Sequence, residues 1–128
     1  MKKIILSVFL MSASTVFAHE FPSQTGECFI VKNNLPQKSQ NCEINSGGGA
    51  GGTYTAFKVN NINFLIEESD GNNISLGNDA DSLQDGTFYY RDLKNKKAII
   101  SLQKARTTPA YYCAKQTKGN LDVCYIVN

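Results

Sequence analysis

The sequence predicts an all-β fold: a small, disulfide-stabilised antiparallel sandwich or barrel of about seven to nine short strands, following a cleaved signal peptide. Three observations carry this reading. Apolar and polar residues alternate with period two from Cys28 onward, and no window keeps the i, i+3, i+4 spacing of an amphipathic helix. Asn- and Gly-rich turns punctuate the alternating runs. Four cysteines sit in a short chain, an even number that suits an exported domain with two disulfides.

The leader comes first. Residues 1–18 read MKKIILSVFLMSASTVFA: Lys2 and Lys3 form a positive end, Ile4–Met11 an apolar core, and Val16-Phe17-Ala18 a small-x-small cleavage site. The mature chain is therefore expected to start at His19, with 19–27 a flexible N-terminal segment and 28–128 a single all-β domain. The 13 Lys+Arg and 11 Asp+Glu of the whole chain become 13 − 2 = 11 against 11 once Lys2 and Lys3 are removed. A balanced chain lacks the basic surplus that nucleic acid requires, so no nucleic-acid partner is expected. Beyond the leader no apolar stretch is long enough for a membrane helix, and no membrane anchor is expected. The expected location is the periplasm or the outside of a bacterial cell, as a soluble protein.

The strands follow in order. Cys28–Lys32 and Asn41–Asn45 form a hairpin around Leu35-Pro36, closed by a Cys28–Cys42 disulfide. Ser46–Gly52 is a glycine-rich crossover or binding loop. Thr53–Glu68 is the clearest hairpin. A two-residue turn at Asn60-Asn61, where asparagine tolerates positive φ, places Val59 opposite Ile62, Phe57 opposite Phe64 and Thr55 opposite Ile66. Phe57, Val59, Ile62, Phe64 and Ile66 are then core residues. Ile74–Leu76 is a short strand, and Gly77–Asp85 a polar loop with a helical turn at Asp81–Gln84. Gly86–Asp92 and Lys97–Gln103 are strands bracketing a polar turn at Leu93–Lys96. Tyr111–Ala114 and Leu121–Val127 form the last hairpin. A loop symmetric about Lys118-Gly119 sets Cys113 opposite Cys124 and Tyr112 opposite Tyr125, so turn and disulfide demand one register. Each disulfide closes a loop of about 12–15 residues and restricts the unfolded chain by about 3 kcal/mol.

Candidate chemistry is sparse. Gly47, Gly49 and Gly52 satisfy GxGxxG, but a strand follows where a dinucleotide site needs a helix. The functional reading of the run is a binding loop at Gly48, Gly49, Ala50 and Gly51, whose bare N–H groups contact a partner. His19 is the only histidine, which leaves a catalytic triad without an imidazole anchored in the fold. Oxidised cysteines provide no nucleophile, and their gaps are too wide for zinc. The acidic stretch Asp79–Asp85 lacks the ligand spacing of a calcium loop and is read as solvated. No metal and no cofactor are assigned. Lys94, Lys96, Lys97, Lys104 and Arg106 form a basic cluster read as protection of a strand edge. Two doublets remain, Tyr89-Tyr90 and Tyr111-Tyr112. One ring of each faces away from the other, and tyrosine is enriched at binding surfaces.

By elimination the sequence is read as an exported, non-catalytic binding protein. It would act as an inhibitor or immunity protein for another exported protein such as a cell-wall hydrolase or toxin. Its contacts are sought at Gly48, Gly49, Ala50, Gly51, Tyr89, Tyr90, Tyr111 and Tyr112. One alternative is a small secreted hydrolase or effector using Glu67 or Asp70. Another is a structural component of a surface assembly, joined through an open strand edge.

Overall fold

The computed structural model describes residues 19–49, 51–69 and 73–128. The leader, Ala50 and Asp70 lie outside them.

Among the described residues eleven strands are formed: β1 (His19–Glu20), β2 (Gln24–Lys32), β3 (Leu35–Pro36), β4 (Gln40–Gly49), β5 (Gly52–Val59), β6 (Ile62–Ser69), β7 (Asn73–Gly77), β8 (Gln84–Asp92), β9 (Ile99–Ile100), β10 (Ala110–Gln116) and β11 (Asp122–Val127). Eight of them, β2, β4, β5, β6, β7, β8, β10 and β11, pair in that order, and β11 returns to β2. Every pairing is antiparallel. The all-β expectation is met, and of its two forms the chain adopts the barrel. Each wall strand follows its neighbour in sequence, so the wall is an up-and-down meander. Closure removes the long edges that an open sheet would expose.

Both expected hairpin registers are present. Val59 pairs with Ile62 and Phe57 with Phe64. Cys113 pairs with Cys124 and Tyr112 with Tyr125. The disulfides are Cys28–Cys42 and Cys113–Cys124, with Cα atoms 6.2 and 4.0 Å apart. Such cross-links suit an oxidising, extracytoplasmic type of environment. No helix among the described residues is long and apolar enough to cross a membrane.

Several details differ from expectation. β2 begins at Gln24, because Gln24–Cys28 find partners on β4. Its first turn is at Asn33-Asn34, both at positive φ, before Leu35-Pro36 folds back on β2. The glycine run is strand, with Gly47 and Gly48 in the β4–β5 ladder and only residues 50–51 between the strands. Gly52 has φ +148°, and a Cβ there would collide with the Glu68 carbonyl, so this position requires glycine. Lys97–Gln103 is strand only at Ile99–Ile100. Ser101 then accepts a hydrogen bond from the Lys104 amide at 3.1 Å and starts a helical turn, α1 (Leu102–Ala105). The turn expected at Asp81–Gln84 lies at Ala80–Ser82, with Asp79 as its cap. Ile62 is 43% exposed and not core, because the tight Asn60-Asn61 turn leaves nothing above it.

Two buried layers share the wall. The inner one fills the barrel with Cys28, Ile30, Cys42, Ile44, Phe57, Val59, Phe64, Ile66, Ile74, Leu76, Ala114 and Val123. The outer one comprises Phe29, Val31, Tyr111, Cys113 and Cys124, joined by half-buried Tyr89, Leu93 and Ile126. The connections around residues 34–39 and 93–97 cover it. Lys96 sets its ammonium 4.8 Å from the Phe29 ring centre and donates to the Ser39 hydroxyl at 2.7 Å.

Candidate functional site

Strand direction sorts the loops onto two ends of the barrel. The glycine end carries the β4–β5 turn, the β6–β7 connection and the long segment from β8 to β10. The asparagine end carries Asn33-Asn34, Asn60-Asn61, the 3-10 turn at Ala80–Ser82 and the β10–β11 loop.

Alternation decides the fate of each tyrosine doublet. On β8, Phe88 packs on the inner core and Tyr89 on the outer one, so Tyr90 turns inward. On β10, Tyr111 is outer, and Tyr112 shares the inner side with Ala114. Tyr90 and Tyr112 are register partners near the glycine end. Their rings meet edge to face with centres 5.5 Å apart. Tyr112 also contacts Tyr125 at 5.9 Å. Tyr125 contacts Phe57 at 5.2 Å, and Phe57 contacts Phe64 at 6.1 Å. The five rings form a continuous stack from solvent into the core. Tyr112 heads it at 51% exposure, while Phe64 at its foot is 2% exposed.

Charged groups frame the stack. Burial raises the Tyr90 phenol pKa above its ordinary value, the Tyr112 and Glu68 charges add to this, and Arg106 opposes it. Burial likewise raises the Tyr125 pKa, opposed by a hydrogen bond with Thr55. Glu68 pairs with Thr53, which pairs with Gly48, so the glycine turn adjoins the stack through Glu68. A shallow cavity of about 280 Å³ lies over Gly48, Gly49, Gly51, Gly52, Glu67 and Glu68.

The fold thus brings Gly48, Gly49, Gly51, Tyr90 and Tyr112 to one end. It separates Tyr89 and Tyr111 from them. Tyr111 is 3% exposed, packs edge to face on Phe29 at 4.9 Å, and donates to the Glu27 carboxylate at 2.6 Å. Burial first, then that hydrogen bond, pushes its phenol up to about 12. Tyr89 donates to Asp122 and accepts from the Arg91 Nε at 3.2 Å. Arg91, fully buried, also donates to the Asn34 side chain at 2.9 Å and the Lys96 carbonyl at 3.0 Å. Burial raises the Tyr89 and Asp122 pKa values. These groups hold the outer layer together, with Tyr111, Arg91 and Asp122 buried and Tyr89 half-buried.

Sequence reasoning passed over Thr55, Glu68, Arg106 and Tyr125 as site residues. Tyr125 was within reach, because the disulfide register already opposes it to Tyr112. Arg106 had no such signal, since it reaches Tyr90 from a segment read as neither strand nor turn.

Other candidate chemistry finds little support in the geometry. Glu67 and Glu68 alternate across the wall and are exposed. The Asp79 carboxylate accepts from the Asp81 amide, so local capping occupies it. Among the described residues no three His, Cys, Asp or Glu groups gather as a metal site, and all four cysteines are in disulfides. Comparison with known proteins found no matching family model, no similar curated protein and no similar solved structure.

Proposed function

We propose that this is a non-catalytic binding protein, exported to the periplasm or medium of a bacterium. In this reading it acts as an inhibitor or immunity protein on another exported protein. It engages that partner with the glycine end of the barrel. One observation carries the reading: Tyr112 is held half-exposed at the head of an aromatic stack rooted in the core. A ring fixed in this way loses little freedom on binding, and large, immobile tyrosines are frequent anchors of protein interfaces. Tyr90, Glu68, Arg106 and the Gly48–Gly51 turn supply a polar and adaptable rim. Closure of the barrel weighs against assembly by strand addition, since the two-residue strands β1, β3 and β9 offer little backbone to pair.

The test is capture of partners from periplasm and culture medium. A single stoichiometric partner is expected, bound at least about tenfold more weakly after Tyr112→Ala and unaffected by Glu67→Gln. Hydrolysis of peptidoglycan or another glycan that Glu67→Gln abolishes would establish the hydrolase in its place.

A further inference from the structure

The asparagine end holds a different feature, opposite Tyr112 and sharing only Phe64 with the aromatic stack. A cavity of about 530 Å³ opens there between the ends of β2 and β6 and the β10–β11 loop. Its floor is apolar: Phe64 and Ile30 at 2% and 9% exposure, with Leu121 beside them and Ile62 at 43% on the lip. The opening has a physical cause. The Asn60-Asn61 and Asn33-Asn34 turns reverse the chain in two residues each, so neither supplies a loop to lie across the barrel end. The volume is that of a site for a small organic molecule.

The rim is positive. Lys32, from the end of β2, is exposed and follows Ile30 on the inner side of its strand, whereas Lys115, from β10, borders the cavity but lies on the outer side with Tyr111 and Cys113. Its one acidic residue, Asp122, is 8% exposed and turned to the outer layer, where its carboxylate accepts the Tyr89 hydroxyl and meets the Arg91 charge. Lys115 opposes Asp122 across the β10–β11 ladder and is partly balanced by it. The Lys32 ammonium makes no hydrogen bond to another described residue. A neutral apolar guest would cover the floor and leave the Lys32 ammonium facing its surface. A guest with a single anionic head satisfies both parts of the site.

We propose that this cavity binds a small amphipathic carboxylate. Its apolar body lies on Ile30, Ile62, Phe64 and Leu121, and its head lies against Lys32.

Sodium octanoate, 1-octanol and octylammonium are each titrated into the purified protein with both disulfides formed, and methyl resonances are followed by NMR. Octanoate is expected to shift Ile30, Ile62 and Leu121 and to leave the tyrosine end undisturbed. It should bind several-fold more tightly than octanol, and octylammonium more weakly than either. Lys32→Gln should weaken octanoate about threefold to fivefold, as expected of a partly solvated charge pair, with octanol unchanged, whereas Lys115→Gln on the outer side should leave octanoate binding unchanged. Equal responses to the three probes in the unmodified protein overturn the proposal. So does the absence of shifts at Ile30, Ile62 and Leu121, or octanoate binding undiminished by Lys32→Gln.

Discussion

The inner and outer layers of the barrel use the same strands and are built on different chemistry. The inner layer is aliphatic and aromatic. The outer layer is a mixture in which apolar Phe29 and Val31 sit beside Arg91, Tyr89, Asp122, Tyr111 and Lys96, whose polar atoms meet partners in two covering connections. Among the described residues no buried side-chain polar atom lacks a hydrogen-bond partner. The inner layer therefore draws on area removed from water, and the outer one on a satisfied network that positions its loops. Each layer also has its own disulfide: Cys28–Cys42 inside, Cys113–Cys124 outside.

Phe64→Ala tests the inner layer and should have the largest effect. The ring is 2% exposed between Phe57 and the core, so its loss should cost about 4–5 kcal/mol in denaturant unfolding. A loss below about 1 kcal/mol would place that face outside the core. Arg91→Met tests the outer layer. It leaves Asn34, Tyr89 and the Lys96 carbonyl without their donor, and about 3 kcal/mol should be lost. A neutral or stabilising result would show that the network contributes geometry and no net stability.

Removing one disulfide at a time sharpens the contrast. Sequence separations of 14 and 11 differ by only about 0.2 kcal/mol in loop entropy, so each Cys→Ser pair should cost about 2–4 kcal/mol. A difference well beyond that reports what each layer adds. Tyr111→Phe should cost about 1 kcal/mol at neutral pH, through the lost bond to Glu27. It should also alter the alkaline limb of stability. The folded phenol is raised to about 12. Its contribution is then fully present below the ordinary value of about 10 and is lost as the pH climbs towards 12. Unfolding midpoints measured from pH 9 to 12 should fall less steeply in the phenylalanine variant. Tyr112→Ala should be the mildest of the series, within about 0.5–1 kcal/mol, since half of its ring already faces water. Its expected effect is on partner binding.

Most of the barrel wall was legible because period-two alternation and two-residue turns are local. The Asn60-Asn61 turn alone sets the pairing from Val59–Ile62 to Thr53–Glu68. The Cys113–Cys124 bond and its turn demand the same register. The site was legible in part: the doublets announced rings on both faces, and the glycine run announced close backbone approach. Which face would remain open was not legible. Tyr111 faces away from the barrel interior and is still buried, and Tyr89 beside it is half-buried, since segments distant in sequence fold over the outer layer. Tyr90 and Tyr112 point inward and still reach solvent, because they lie near the barrel's end.

The sequence by itself determined the strand class and the two central hairpin registers, with Cys113 opposite Cys124, each a consequence of side-chain periodicity or short-range turn geometry; Cys28–Cys42 it favoured among three pairings by spacing alone. Closure into a barrel, the second buried layer and the exposure of Ile62 were decided by tertiary structure. Each depends on which distant strands and loops meet: β11 returning to β2, Asn34 receiving the Arg91 guanidinium, and nothing crossing above the Asn60-Asn61 turn. Alternation specifies that a residue lies on one face of a strand. Only the assembled wall specifies whether that face is a core, a covered outer surface or an open end.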